Sequence, residues 1–344
     1  MKFRQSMHVG SCLVVAGFVF GGLNPGAYGQ VGVDWIQVTN QAPWTTRGSG
    51  ATGLFKGRLW LMGGQRTSSN SSLLNEVWST GDGTLWTQVT ANAGWSPRDI
   101  SASAVYADKL WILGGNTSTS GMTNDVWSSS DGLNWTAVRY SAPWGARGEA
   151  AAVVQDNKLW LLGGYNAAGT VYNDIWWTTN GLDWTQSTAS APFGPRAGMG
   201  LVNWRGQVWL TGGYTGTGVN NVWVSSNMTA WTQVTAGAGW SGRWGHGCVA
   251  HDDKLWVLGG LIPSGSALHD VWWSSDGSSW QQMTQAPWIG RHHPYVGSFH
   301  GAIVVLGGVY GFLTSLNDVW SSPQISNEAP RPTGMMIIIR GTYF

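Results

Sequence analysis

Short runs of hydrophobic residues, each ended by glycine-rich or polar turns, recur along the chain from about residue 34 to residue 322. In one clear copy, four such runs have strand character, at roughly 100–107, 109–114, 124–129 and 135–139. They are rich in Val, Thr and Trp, and tight-turn sequences such as Asp131-Gly132 separate them. Short strands at regular spacing with turn signals between them predict an all-β architecture of antiparallel hairpins.

The copies align on fixed columns. A Gly-Gly pair stands at 63–64, 114–115, 163–164, 212–213, 259–260 and 307–308, at spacings of 51, 49, 49, 47 and 48 residues. Sixteen residues before each pair stands an arginine: Arg47, Arg98, Arg147, Arg196, Arg243 or Arg291. Nineteen before it stands Trp44, Trp95, Trp144, Phe193, Trp240 or Trp288. After the pair comes a motif like Asn-Asp-Val-Trp, ending at Trp78, Trp127, Trp176, Trp223, Trp272 or Trp320. A last Trp then opens a short run such as Trp86-Thr87-Gln88-Val89. The sixth copy lacks that run and meets Pro323 instead, which breaks a strand. The missing piece, Trp35-Ile36-Gln37-Val38-Thr39, lies upstream of the first copy. Residues 34–39 are therefore expected to serve as the outer strand of the last repeat, which removes an open sheet edge.

The period near 50, the Gly-Gly pair, the arginine before it and the later Trp together resemble kelch repeats. The resemblance covers about residues 34–322. It implies a six-bladed β-propeller of kelch type, one four-stranded blade per repeat, closed by the N-terminal strand. The turns of the form Ser-Ser-Asp-Gly-x-x-Trp resemble the Asp-box of sialidases, one residue short. Their position at a turn makes a structural role the expectation.

Composition narrows the function classes. Charged residues are 10% of the chain, Gly is 51 and Trp is 26 of 344, which excludes a disordered or coiled-coil chain. Lys2 and Arg4 precede an apolar run from Cys12 to Phe20, and Ala27-Tyr28-Gly29 follows. This reads as a signal peptide over residues 1–29, with a secreted or periplasmic protein as the consequence. Residues 30–322 would then form the propeller and 323–344 a Pro-rich tail with an apolar end. Without residues 1–29 the chain has 16 basic and 17 acidic residues. That balance offers no basic footprint for nucleic acid, and no further segment is apolar enough to span a membrane. Cys248 stands alone after residue 29, so no internal disulfide is expected there.

Strand direction sorts the candidate site residues. The segment before the first strand, the end of the second and the start of the third share one face. That face carries the six arginines, the column Glu76, Asp125, Asp174, Asn221, Asp270 and Asp318, and the variable loops. Six arginines around a channel mouth would attract an anion; equally, they could pair with the neighbouring acids or stack on the Trp column. A residue present in every repeat points to structure, so the places where copies diverge matter more: Asp99, Glu149, Trp244 with His246, and His292 through Tyr295. Aromatic faces beside Arg and carboxylates suit a sugar or a peptide side chain. No catalytic signature, metal set or cofactor motif is found. The expectation is a binding module, not an enzyme, holding a glycan or protein partner, with acidic ligands as candidates. The alternative is a periplasmic sugar isomerase resembling the sialic-acid mutarotases, in which a channel Arg would grip a carboxylate. A galactose-oxidase-like copper enzyme ranks below both, because the chain offers only Cys248 for the crosslinked Tyr–Cys pair such an enzyme resembles.

Overall fold

A computed structural model describes residues 31–67, 72–311 and 314–323. The expected signal peptide at 1–29, Phe312 and the tail beyond residue 323 lie outside the described residues. Every regular element of the described chain is a β-strand; six antiparallel sheets of four or five strands form a six-bladed propeller, and Val309–Tyr310 and Thr314–Ser315 pair as a separate two-stranded sheet. In the second blade the strands run Ala102–Tyr106, Lys109–Thr117, Gly121–Ser129 and Thr136–Arg139, from the inside outward. The second and third strands extend further than the hydrophobic pattern indicates. Register slips between Leu113 and Gly115, after which Asn116 faces Met122 and Thr117 faces Gly121. Both glycines of the pair have positive φ, 56° at Gly114 and 101° at Gly115. A Cβ would lie 2.8 Å from the Thr123 carbonyl oxygen at the first and 2.2 Å from the Ser101 hydroxyl at the second. The pair is thus a bulge that only glycine can form, and it lets the hairpin continue toward the loop face.

The innermost strands pack side by side in a circle: Ala51–Phe55, Ala102–Tyr106, Ala151–Gln155, Gly200–Trp204, Gly247–His251 and Tyr295–Phe299, with the last against the first. Six hydrophobic clusters fill the six junctions between blades. One joins Trp111 and Val126 of the second blade to Leu159 and Leu161 of the third. Another joins Tyr295 and Val304 of the sixth to Leu59 and Leu61 of the first. The core is therefore a ring of inter-blade contacts, each burying the faces of two twisted sheets.

The tryptophan columns have distinct tasks. The aromatic residue before each arginine (Trp, or Phe193 in blade four) meets the outer-strand Trp of its own blade edge to face, as in Trp95–Trp135 at 5.9 Å and Trp144–Trp184 at 5.8 Å. The Trp of the second strand lies under a turn of the next blade. A Cβ on Gly132 would come within 2.0 Å of Trp60, and one on Gly181 within 2.1 Å of Trp111. That turn is the Ser-x-Asp-Gly-x-x-Trp motif. The Ser129 hydroxyl accepts from Gly132 N (2.8 Å), and an Asp131 carboxylate oxygen accepts from Leu133 N and Asn134 N. Trp135 Nε1 donates to the Gly132 carbonyl at 2.9 Å. The motif is an internally hydrogen-bonded turn that offers a flat glycine to the neighbouring indole.

In the sixth blade the same turn is split between two distant parts of the chain. Ser322 supplies the hydroxyl and Gly32 the amide (2.8 Å), and Trp35 Nε1 donates to the Gly32 carbonyl at 3.1 Å. Gly32 then lies over Trp256 of the fifth blade, and Trp35 meets Trp288 edge to face at 5.9 Å. Strand Ile36–Thr39 pairs antiparallel with Val319–Ser322. Asn317 Nδ2 donates to the Ala42 carbonyl (3.2 Å), as Asn124 Nδ2 does to that of Ala142 within the chain's continuous part.

Candidate functional site

The arginine column is where structure and expectation part. Arg47, Arg98, Arg147, Arg196, Arg243 and Arg291 are each 0–2% exposed. In the second blade Arg98 forms a two-pronged pair with Asp125 (2.7 and 2.7 Å), and its Nη1 also donates to the Gly114 carbonyl. Arg147–Asp174, Arg243–Asp270 and Arg291–Asp318 repeat this arrangement at 2.6–2.9 Å. Arg47 pairs with Glu76. Each acid in the Asp blades also accepts an indole N–H, from Trp127, Trp176, Trp272 or Trp320. The arginines therefore do not form the expected exposed rim: their guanidinium groups hold the blades together from inside, each at most 2% exposed.

Blade four departs from the pattern. Asn221 stands where the others have a carboxylate, so Arg196 has no counter-charge in its column; it donates to the Asn221 amide oxygen, the Gly212 carbonyl and the Phe193 carbonyl. Burial pulls its pKa down to about 10. Its Nε, and Nε1 of Trp223, have no hydrogen-bond partner among the described residues.

Between each arginine and its inner strand the chain makes one tight step, and here the asymmetry collects. The residues two after the arginines are Ser49, Ile100, Glu149, Gly198, Gly245 and His293, all with φ between 46° and 60°. Their backbones form a closed circle of hydrogen bonds from blade to blade. Ile100 N donates to Ser49 O (2.5 Å), Glu149 N to Ile100 O (2.9 Å) and Gly198 N to Glu149 O (3.0 Å). Gly245 N donates to Gly198 O (2.8 Å), His293 N to Gly245 O (2.6 Å) and Ser49 N to His293 O (3.3 Å). Left-handed backbone at Ser, Ile, Glu and His is costly where glycine would be free. The two glycines have a different reason. A Cβ on Gly198 would lie 2.7 Å from Glu149 Oε2, and one on Gly245 would lie 2.7 Å from the His293 ring. They leave room for the two charged side chains.

This circle surrounds a cavity of about 160 Å³, to which every blade contributes two lining residues; Ser49, Ser101, Glu149, Met199, His246 and His293 carry its chemistry. His293 Nε2 lies 3.2 Å from Glu149 Oε1 as an ion pair. Its Nδ1 lies 2.8 Å from His292 Nδ1, and His292 Nε2 lies 2.9 Å from the Gly311 carbonyl. A carbonyl only accepts, so His292 holds its proton on Nε2 and accepts on Nδ1 from His293. Burial, together with the His293 charge, pushes the His292 pKa down to about 4 and keeps it neutral. Burial also opposes the charge on His293, but the Glu149 and Asp99 carboxylates outweigh it and raise its pKa. Asp99 is 5% exposed, and burial pushes its pKa up to about 6. Asn116 Nδ2 donates to it at 3.1 Å, and Gln65, with its amide nitrogen turned inward, donates at 3.1 Å. Tyr165 stands beside this group; burial, Glu149 and Asp99 all raise its phenol pKa.

Of the residues singled out from sequence, Asp99, Glu149 and His292 thus meet around the channel with His293, Tyr165, Asn116 and Gln65. Trp244 is half-buried at the mouth, edge to face with Tyr214 at 5.3 Å. His246 lines the cavity but is buried, with Nε2 on the Thr211 hydroxyl (3.0 Å) and its pKa pushed down to about 3 by burial. Tyr295 is buried, and its hydroxyl accepts from Gly50 N at 3.1 Å. His293 was the residue to choose beside His292. Its signal was its column, the position two after the arginine, where the copies differ most in size and charge. Among the described residues no cluster of His, Cys, Asp and Glu has the makings of a metal site, and no helix is long and apolar enough to cross a membrane.

A family model described as the DUF6242 beta propeller domain matches residues 51–185. The match runs from the inner strand of the first blade to the first residue of the outer strand of the third. A comparison with curated proteins finds no match.

Two outcomes follow from this geometry. Asn221→Asp gives Arg196 a carboxylate and Trp223 an acceptor, and should raise stability by about 1–3 kcal/mol in thermal denaturation; an unchanged or lower melting temperature would contradict the account of blade four. The raised pKa of Asp99 stabilises the fold fully below about pH 4, the carboxyl's ordinary range, and that contribution is lost as pH rises through about 6. The stability of Asp99→Asn relative to the parent should therefore increase on the order of 2 kcal/mol between pH 4 and pH 7. Parallel melting curves across that range would remove the claim.

Proposed function

We propose that this chain is a binding module of kelch type that engages a glycan or protein partner on the loop face, with one small group of the partner entering the channel mouth. One observation carries this reading: the repeated arginine pairs hold the ring, and Ser49, Glu149, His246 and His293, from positions where the copies differ, converge on the channel cavity. Strained non-glycine backbone at Ser49, Ile100, Glu149 and His293 supports it, since strain kept at a concave site points to function rather than packing.

The electrostatics alter the ligand class expected from sequence. Five of the six arginines are paired with carboxylates and Arg196 is held by neutral acceptors inside blade four, so the mouth itself carries Asp99 and Glu149 against His293, whose pKa these carboxylates raise. That balance favours a neutral or cationic group over an acidic one. The cavity volume of about 160 Å³ falls below the ~300 Å³ at which ligand pockets begin, so a side chain or one substituent enters rather than a whole ligand. The isomerase alternative loses its anchor, because each of the six column arginines is bound within its own blade. Export is part of the proposal, with residues 1–29 removed; mass spectrometry of the exported protein should find Gln30 at its N-terminus, and a retained leader would refute that part.

Glu149 Oε2 leans over Gly198 without a hydrogen-bond partner among the described residues, which makes Glu149→Gln the decisive variant. Screened on arrays of neutral, amino and acidic glycans and of peptides, the parent should bind a neutral or cationic ligand. Glu149→Gln should bind it at least tenfold more weakly (about 1.4 kcal/mol) with an unchanged melting temperature. Equal affinity in the variant would sink the channel-mouth reading.

A further inference from the structure

A second cleft on the loop face lies entirely within the second blade's edge. It has a volume of about 320 Å³ and is lined by hydroxyl and amide side chains, among them Ser96, Thr119, Ser120 and Asn124, with Tyr140 beside them. Its floor is the Arg98–Asp125 pair, whose two charges cancel at 2.7 Å. Its walls are fixed. The Ser118 amide donates to the Pro97 carbonyl at 3.1 Å, tying the hairpin to the lead-in segment, and Thr117 Oγ1 closes the hairpin tip on Gly121 at 3.0 Å. Opposite, Asn124 Nδ2 donates to the Ala142 and Trp144 carbonyls. Among the described residues that leaves the Asn124 amide oxygen, the Ser96 hydroxyl and the Tyr140 hydroxyl with no partner, and the Thr119 and Ser120 hydroxyls with only each other at 3.5 Å.

Tyr140 is the departure that gives the cleft its meaning. The matching position in the other blades holds Asn40, Ala91, Ala189, Ala236 or Thr284, so the repeat does not require an aromatic there. The ring is 79% exposed and yet held in place, perpendicular to Trp127 at 6.2 Å between centroids. An exposed, oriented aromatic face beside uncommitted hydroxyl and carbonyl groups, over a floor with no net charge, matches one ligand chemistry. A pyranose ring has an apolar C–H face for the tyrosine and a rim of hydroxyls for the polar wall, and carries no charge to be matched. The volume suits one such ring.

We propose that the cleft formed by Ser96, Thr119, Ser120, Asn124 and Tyr140 binds a neutral saccharide, one sugar ring deep. The site is separate from the channel mouth and stands whether or not that reading holds. The test is saturation-transfer NMR on the full chain, with methyl glycosides of glucose, galactose, mannose and N-acetylglucosamine, cellobiose and maltose, and with glucuronate and glucosamine as charged controls. At least one neutral sugar should receive saturation at its ring C–H protons and outcompete its charged counterpart. Tyr140→Ala should weaken it at least tenfold while Tyr140→Phe, which keeps the ring, retains it. No neutral sugar bound, or binding that survives Tyr140→Ala, would each overturn the proposal. Because Tyr140 is an exposed side chain, its loss leaves folding intact, and an unchanged melting temperature checks this.

Discussion

Each buried arginine holds three parts of its blade at once: the lead-in segment behind it, the carbonyl of the Gly-Gly pair, and the carboxylate of the third strand. Its own backbone carbonyl reaches outward and accepts an amide from the preceding blade, as Arg147 O does from Gly115 N at 2.9 Å and Arg47 O from Gly308 N at 2.9 Å. The side chain thus orders the interior of a blade while the main chain joins it to its neighbour. A guanidinium removed from water needs its full set of acceptors and a counter-charge, and the blade is built around supplying them. The Gly pair must bulge to expose its carbonyl, the acid must sit on the third strand, and the indole must satisfy the acid's remaining lone pair. Blade four shows the dependence by its exception. There an amide stands in place of the carboxylate, and Arg196 Nε and Trp223 Nε1 have no hydrogen-bond partner among the described residues.

This arrangement also determines where recognition can occur. A sixfold framework whose polar groups satisfy one another has nothing left with which to bind. Chemistry has to come from positions that the framework tolerates but does not prescribe. Two sets exist on the loop face. One is the circle of left-handed residues at the channel, where glycine would suffice and Glu149 and His293 stand instead. The other is the end of the second blade's outer strand, where small or polar residues suffice and Tyr140 stands instead. Both are substitutions that the fold can bear, the first at a cost in backbone strain and the second at the exposure of a large ring.

Much of the architecture was legible along the chain. The Gly-Gly interval gave six repeats, and four strand-like runs per repeat gave the blade. The lone Trp35 run matched the piece that the sixth copy lacks. The columns could be read because identical neighbours impose identical demands, six times over. The channel site was only partly legible. Asp99, Glu149, His292 and His293 were visible as places where copies differ, but only the positive-φ step at Glu149 and His293 brings them together beside Tyr165. Alternation along a strand would have sent His292 and His293 to opposite faces; the left-handed turn at His293 places their Nδ1 atoms 2.8 Å apart instead.

The arginines mark the boundary most clearly. Their charge, number and shared face are properties of the sequence, and those alone favoured a structural role while leaving a ligand rim open beside it. Whether a guanidinium faces solvent or a carboxylate depends on a few ångströms of depth, and depth is a property of packed sheets rather than of spacing along a chain. The sequence by itself determined the repeat, the strands and which residues would share a face, because these follow from local periodicity. Only the tertiary structure decided the sign of the charge left at the channel mouth, because that sign is what remains after buried pairs have cancelled.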